Sequence, residues 1–316
     1  MKFNKKKTGL ALGSGAARAL AHFGVIKSLY REGVRPDVVV GCSMGALVGA
    51  AYVTGHLGEL ENWFLEQNTT KILRHLDINF FASGGIADGN QFISFLKSQF
   101  GDYQIEELPI PFAAIACDMH SGKEVWLTQG SIWDAVRASG AYPGLLSPVN
   151  QEGQWLIDGG VVNPVPISVC RALGATQVIA VNLNNDLLMK PRKKSKDKQL
   201  FRFNNENSIL GKATGKLRQS INDRIPLAAK RNLVKRRSLK IKEYEPGIME
   251  VISTTIDVMQ DRITRSRLAG DPPDALINPR LSHIGFLETD RTAEIIEEGE
   301  NSVIRNIDQL QDFKIG

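Results

Sequence analysis

The chain has 316 residues, 42% of them apolar and 23% charged, with a net charge of +5. That length holds one large α/β domain or two modest ones, and the balance is that of an ordinary globular protein with ample surface to bury. No run of eighteen apolar residues occurs, so no transmembrane helix is expected, and the basic tip at 1–7 leads into an apolar stretch that breaks at Gly13-Ser14-Gly15, too early for a secretory signal.

Residues 8–12 read as a short buried strand and 16–31 as a helix, with Leu20, Phe23, Val25, Ile26 and Leu29 on its apolar face. A strand at 38–41 and a helix at 44–55 complete a β-α-β-α start, which implies parallel strands. A helix follows at about 58–68. Residues 70–106 are mixed, with Phe80-Phe81 and Gly84-Gly85 suggesting a lid-like loop before a helix at 90–99. Strands are expected at 111–117 and 124–127, a helix at 131–138, and a short strand Trp155-Leu156-Ile157 that ends in Asp158-Gly159-Gly160. A helix at 166–172 and a strand at 177–181 close the regular pattern. Residues 186–243 have few periodic apolar positions and read as a loop or weakly helical insertion. A helix at 248–268, a strand at 275–277 and a helix at 289–307 complete the chain.

Gly41-Cys42-Ser43-Met44-Gly45 is the most informative stretch. It stands between an apolar strand and a helix of small residues, the context in which G-x-S-x-G forms a nucleophile elbow. The serine backbone is strained there, and strand and helix approach too closely for Cβ atoms at Gly41 and Gly45. The turn also aims the first N–H groups of the helix at the site, ready for a developing oxyanion.

Three loops follow three expected strands: Gly13-Ser14-Gly15-Ala16-Ala17-Arg18, the elbow, and Asp158-Gly159-Gly160. In an open parallel sheet such loops emerge at one carboxyl edge. The first gathers backbone N–H donors for an anion, the second supplies a hydroxyl and the third a carboxylate. Together they are the minimum set for acyl transfer.

These segments resemble those of bacterial patatin-like phospholipases. The likeness rests on Gly13 to Arg18, on Ala21-His22-Phe23-Gly24-Val25, on the elbow, and on Asp158-Gly159-Gly160. Ala138-Ser139-Gly140-Ala141-Tyr142-Pro143-Gly144 and Pro279-Arg280-Leu281-Ser282-His283-Ile284-Gly285-Phe286 extend it, over about 8–185 and 246–310. The resemblance implies an α/β three-layer fold with a mainly parallel sheet flanked by helices and a C-terminal helical extension. Its parts would be a catalytic domain at 8–185, a basic insertion or linker at 186–245, and a helix-strand-helix extension at 246–316 packing on the catalytic domain. It implies a Ser–Asp dyad with Ser43 as nucleophile and Asp158 as proton acceptor. Gly15 and Ala16 would donate backbone N–H groups to the oxyanion, with Met44 as a further donor, while Gly13 and Arg18 support the loop and Gly159 and Gly160 form the aspartate turn. The chain departs from the family pattern at Ala19, Ser14 and Ala16, where many members have glycine. The substrate would be a lipid or ester, and phospholipid, lysophospholipid and simple esters all stay open. No cofactor or metal is expected, since the five histidines and three cysteines show no ligand spacing. The alternative is a non-catalytic regulator that keeps the fold and binds acyl groups or a partner.

Rival assignments are weaker. Ser43, Asp158 and His283 have the chain order of a Ser-His-Asp triad, but the elbow follows only the second strand and His283 lies in an apolar stretch. His22 reads as support beneath the first loop. A dinucleotide fingerprint fails because Arg18 stands at the third glycine position. Asp37, Asp88 and Asp118 compete with Asp158, but the first precedes its strand, the second reads as a turn and the third as part of a hairpin.

Charge is unevenly spread. From Lys190 to Lys242 eighteen Lys and Arg face three acids, a net of +15, and the remainder of the chain carries a net of −10. Peripheral contact with an anionic membrane through 190–242 and a solvated insertion stand level as readings, and no nucleic acid is expected, because no aromatic interleaving accompanies the charge. Free thiols at Cys42, Cys117 and Cys170 suit a reducing compartment, hence a cytoplasmic protein, peripheral at the inner membrane surface if the segment binds lipid.

Overall fold

Val38-Val39-Val40 and Gln177–Val181 are apolar nearly throughout, the pattern of strands covered on both faces. The computed structural model describes residues 6–75, 77, 85–186 and 248–314 and places these strands at the centre of one eight-stranded sheet. In chain order the first half runs β1 (Thr8–Leu12), α1 (Ala21–Arg31), β2 (Val38–Cys42), α2 (Met44–Val53), α3 (Leu57–Glu66), α4 (Thr69–Arg74) and α5 (Asn90–Phe100). Then come β3 (Phe112–Asp118), β4 (Glu124–Leu127), α6 (Ile132–Ser139), β5 (Val149–Gln151), β6 (Gln154–Asp158), α7 (Ile167–Ala172) and β7 (Gln177–Val181). The chain ends with α8 (Ile248–Gly270), β8 (Ala275–Ile277) and α9 (Thr292–Ile304). Contacts divide the chain into two units, Met1–Lys194 with Ile252–Gly316, and Ser195–Val251; the strands and the helices α1 to α7 and α9 belong to the first.

The strands run β2-β1-β7-β8 in parallel, and β2 also pairs in parallel with β3. Beyond β3 the sheet turns antiparallel through β4, β6 and β5. Along one edge of β3 lies β4, with Ala114 to Cys117 opposite Leu127 to Glu124. Its other edge is shared. Val39 to Cys42 of β2 pair with Phe112 to Ile115, and then Asp158 of β6 pairs with Ala116, Ile157 with Cys117 and Leu156 with Asp118. The carboxyl ends of β2 and β6 therefore meet head to head.

Successive strand residues face opposite layers. Leu10, Leu12, Val39 and Val181 join α1, α2, α6 and α9 in one core; Ala11, Val38, Val40, Val178 and Ala180 face α7, with Leu268 of α8 against them in the other. This is the three-layer α/β architecture expected. α2 is apolar nearly all round because it lies between the sheet and α6. Each fully buried Val or Leu contributes about 1.5–3 kcal/mol. α9 crosses α1 at a glycine contact: a Cβ on Gly24 would lie 2.0 Å from the Ile296 carbonyl oxygen, and one on Gly299 2.1 Å from that of Ala21.

Some elements differ from expectation. Residues 16–31 divide into a 3-10 turn, Ala16–Leu20, and α1, because the first N–H groups bond outside an α-helix: Ala17 to the Phe286 carbonyl and Arg18 to that of Gly15. Likewise a 3-10 turn, Thr289–Arg291, precedes α9. The three-residue strand β5 carries too short a pattern to read from sequence; it is made by its hairpin with β6. Residues 78–84, most of the expected lid-like loop, and 187–247, with the basic segment, lie outside the described residues.

Candidate active site

Ser43 sits between the last residue of β2 and the first of α2, with φ 56° and ψ −127°. A non-glycine residue in that region costs about 1–3 kcal/mol and persists only when its surroundings hold it. Two contacts do so. The Ser43 N–H donates to Ser139 Oγ at 2.8 Å, and Ser139 Oγ donates to the Ile115 carbonyl at 2.5 Å. The elbow glycines are required by proximity: a Cβ on Gly41 would lie 2.4 Å from Ala46 Cα, and one on Gly45 2.4 Å from the Leu12 carbonyl oxygen and 2.6 Å from that of Gly13. The glycine-rich loop after β1 is thus packed directly on the start of α2.

Asp158 reaches Ser43 by a different route from the one expected. Its strand is antiparallel to β3, so its turn does not leave the sheet alongside two parallel neighbours. It meets the elbow because β3 runs three residues past the end of β2 and β6 occupies that overhang from the opposite direction. Ser43 Oγ donates to Asp158 Oδ2 at 2.5 Å. The serine is 8% exposed and the aspartate 1%. Burial pushes the carboxyl up from 3.8 to about 6, against the hydrogen bonds from Ser43 and from the Gly160 N–H at 2.7 Å, which stabilise its ionised form. Gly159 lets the turn lie on β3, since a Cβ there would be 2.2 Å from the Ile115 carbonyl oxygen.

In the glycine-rich loop Gly13 N–H bonds to Val181, Ser14 to Pro164, Ala17 to Phe286 and Arg18 to Gly15, each through a carbonyl oxygen. The N–H groups of Gly15 and Ala16 have no such partner among the described residues. Ala16 has φ 48°, a left-handed conformation that costs an alanine about 1–2 kcal/mol. Arg18 is buried and does not face solvent: its Nη2 donates to Asn184 Oδ1 at 3.3 Å and to Asp257 Oδ1 at 3.2 Å. His22 lies under the loop with Nε2 2.8 Å from the Gly13 carbonyl oxygen, and burial lowers its pKa to about 4, so it stays neutral and donates.

Ser43, Asp158, the glycine-rich loop and the first turn of α2 therefore converge, and the competing carboxylates stand elsewhere. Asp37 accepts from the Thr8 N–H at the start of β1, the opposite edge of the sheet. Asp88 accepts from Ser147 Oγ. Asp118 closes the β3–β4 hairpin, accepting from the N–H groups of His120 and Ser121 and from Gln154, which holds its carboxyl down to about 2. His283 is half-exposed and bonded to Glu294, so its surroundings are neither apolar nor those of Ser43. All three cysteines are buried and free. Among the described residues no cluster of His, Cys, Asp or Glu could hold a metal ion, and no helix is long and apolar enough to cross a membrane.

Sequence reasoning missed Asn184, Asp257 and Gln260, and saw Ser139 only as part of a longer likeness. The polar residues of α8 recur at helical spacing, which alone reads as a solvent face.

A family model described as patatin-like phospholipase matches residues 10–171, a stretch that contains the glycine-rich loop, Ser43 and Asp158. The chain belongs to the patatin-like phospholipase family. It is 32% identical to an uncharacterized NTE family protein of Mycobacterium tuberculosis, covering 93% of this chain and 89% of that one. It is 33% identical over 184 residues to the neuropathy target esterase sws of Drosophila melanogaster, covering 56% of this chain and 13% of the relative. It is 29% identical over 195 residues to a lysophospholipase of Emericella nidulans, covering 57% and 12% respectively.

Proposed function

We propose that this patatin-like protein is a serine lipid acyl hydrolase, a carboxylic ester hydrolase of the phospholipase A or lysophospholipase type. The observation that carries the reading is the 2.5 Å hydrogen bond from Ser43 Oγ to a buried Asp158 whose pKa is raised to about 6. An ordinary carboxylate near 4 is a poor acceptor for a serine proton; one near 6 is ionised at neutral pH yet more basic.

Asp158 Oδ2 takes the hydroxyl proton as Ser43 Oγ attacks the ester carbonyl carbon. The carbonyl oxygen becomes an oxyanion, held by the N–H groups of Gly15 and Ala16, with Met44 N–H at the head of α2 as a further donor. The intermediate collapses, the ester C–O bond breaks, and the leaving alkoxide takes the proton from Asp158. Water then repeats the sequence on the acyl-serine, with Asp158 again as base, and releases the fatty acid. Gly13 and Arg18 hold the loop, and Gly159 and Gly160 the aspartate turn.

The named activities of the fly and fungal relatives, an esterase and a lysophospholipase, support the substrate class. The protein would act at the cytoplasmic face of a membrane, where such substrates lie. A panel of phospholipids, lysophospholipids and short-chain esters, assayed with wild type and Ser43→Ala and combined with fluorophosphonate labelling, tests the reading. Wild type is expected to be labelled and to hydrolyse at least one class, and Ser43→Ala to do neither. An unlabelled, inactive wild type would point instead to the non-catalytic regulator.

A further inference from the structure

Helix α8 buries polar side chains where it meets the catalytic loops. Asp257, Gln260, Asp261 and Thr264 follow one another at helical spacing, and all are shielded from solvent. Burying a side-chain amide is costly unless its atoms find partners, so Gln260, 4% exposed, is informative about what it touches. Its Oε1 accepts from Ser14 Oγ at 3.1 Å and from Asn184 Nδ2 at 2.9 Å. Asn184 in turn accepts from Arg18 and donates to the Ser14 carbonyl at 3.5 Å. The same amide also fills the space over the aspartate turn. A Cβ on Gly160 would lie 2.3 Å from Gln260 Nε2 and 2.9 Å from Asp158 Oδ1. One side chain thus touches the loop carrying the Gly15 and Ala16 N–H groups and the turn carrying Asp158.

We propose that Gln260 is a positioning residue for acyl transfer, setting the spacing between the oxyanion loop and the aspartate turn, so that α8 belongs to the catalytic apparatus. This rests on the reading of Ser43 and Asp158 given above. Oxyanion donors act only within about 2.7–3.1 Å of the atom where charge develops, and a displacement of about 1 Å costs on the order of 10²-fold in rate. β1, β7 and Pro164 anchor the loop from the sheet side, while Gln260 ties it to the base.

Two variants and a control test this. Gln260→Leu keeps bulk and removes both polar contacts. Gln260→Glu keeps an acceptor for Ser14 and Asn184 but sets a carboxylate beside Asp158. Met259→Ala changes an exposed neighbour on the same helix. The readouts are kcat and KM on a soluble p-nitrophenyl ester per fluorophosphonate-titrated site, the pH profile, and thermal melting.

Gln260→Leu is expected to lower kcat about 10–10²-fold with KM within about twofold, while Met259→Ala matches wild type. Gln260→Glu is expected to move the acidic limb of kcat/KM upward by about one pH unit, since a like charge disfavours ionised Asp158. The other titratable groups, Cys42 and Cys117 facing Asp158, and the ion pairs Arg18–Asp257, Arg265–Asp261 and Arg267–Glu124 are the same in both proteins. Wild-type kcat per titrated site in Gln260→Leu, or an unmoved profile in Gln260→Glu, overturns the proposal; if the leucine variant does not fold, the glutamate profile decides. A wild type that neither hydrolyses nor takes label overturns the reading of Ser43 and this one with it. An active wild type with unaffected Gln260 variants overturns this one alone.

Discussion

At Asp158 burial works against folding and, in the mechanism proposed above, in favour of reactivity. The folded state, with a carboxyl near 6, binds the proton more tightly than the unfolded chain, near 3.8. Stability contributed by this group therefore falls as pH rises from about 4 to about 6 and stays lower above. At about 1.4 kcal/mol per pKa unit, the ionised aspartate costs the fold about 2–3 kcal/mol at neutral pH. Asp158→Asn is accordingly expected to melt above wild type at pH 7.5, with the difference closing below pH 4, while losing nearly all esterase activity. In wild type, kcat/KM is expected to fall about tenfold per unit below pH 6 as the base is protonated. His283→Ala, altering a half-exposed residue bonded to Glu294, is expected to keep most activity; a variant as inactive as Ser43→Ala would instead reinstate the triad.

Between elements, α1 and α9 cross in close backbone contact. Gly24 and Gly299 each leave no room for a methyl group because the other helix's backbone carbonyl stands there. Either change to alanine forces apart helices that bury Phe23, Ile295, Ile296 and Val303. Overpacking of this kind costs about 1–3 kcal/mol, occasionally more. Gly299→Ala should therefore lower the urea midpoint without changing the urea dependence of stability, and leave kcat per titrated site near wild type, since α9 carries no group of the proposed mechanism. A midpoint equal to wild type would show that the helices can part at no cost. In sequence Gly24 and Gly299 are merely weak spots in helical patterns. Their reason lies across the interface, roughly 275 positions away along the chain.

Across the whole molecule, charge is divided between a segment of +15 at 190–242 and a remainder of −10. Each cation near an anionic surface contributes about 1 kcal/mol, screened over about 8 Å at physiological salt. Binding to anionic vesicles should weaken steeply between low and physiological salt, and deletion of 190–240 should abolish it. That deletion ends before α8, so Gln260 and the site it touches remain, and hydrolysis of a soluble ester should survive. Vesicle binding indifferent to both salt and deletion would make the segment a solvated insertion; lost ester hydrolysis would mean that it shapes the site.

The elbow was legible because its causes are local: a strand, a strained serine and glycines at 41 and 45 lie within one turn of chain, and steric exclusion allows little else there. The buried strands were legible for a similar reason, since only a sheet covered on both faces tolerates an unbroken run such as Val38-Val39-Val40. The meeting of Ser43 with Asp158 was decided elsewhere. It depends on β3 overrunning β2 and on β6 entering the overhang from the other side, a matter of strand register. The burial of Gln260 is of the same kind. A polar residue at helical spacing is free to face water or a partner, and only the seating of α8 beside Ser14, Asn184 and Gly160 selects the partner, because there its amide finds the hydrogen bonds that make burial affordable.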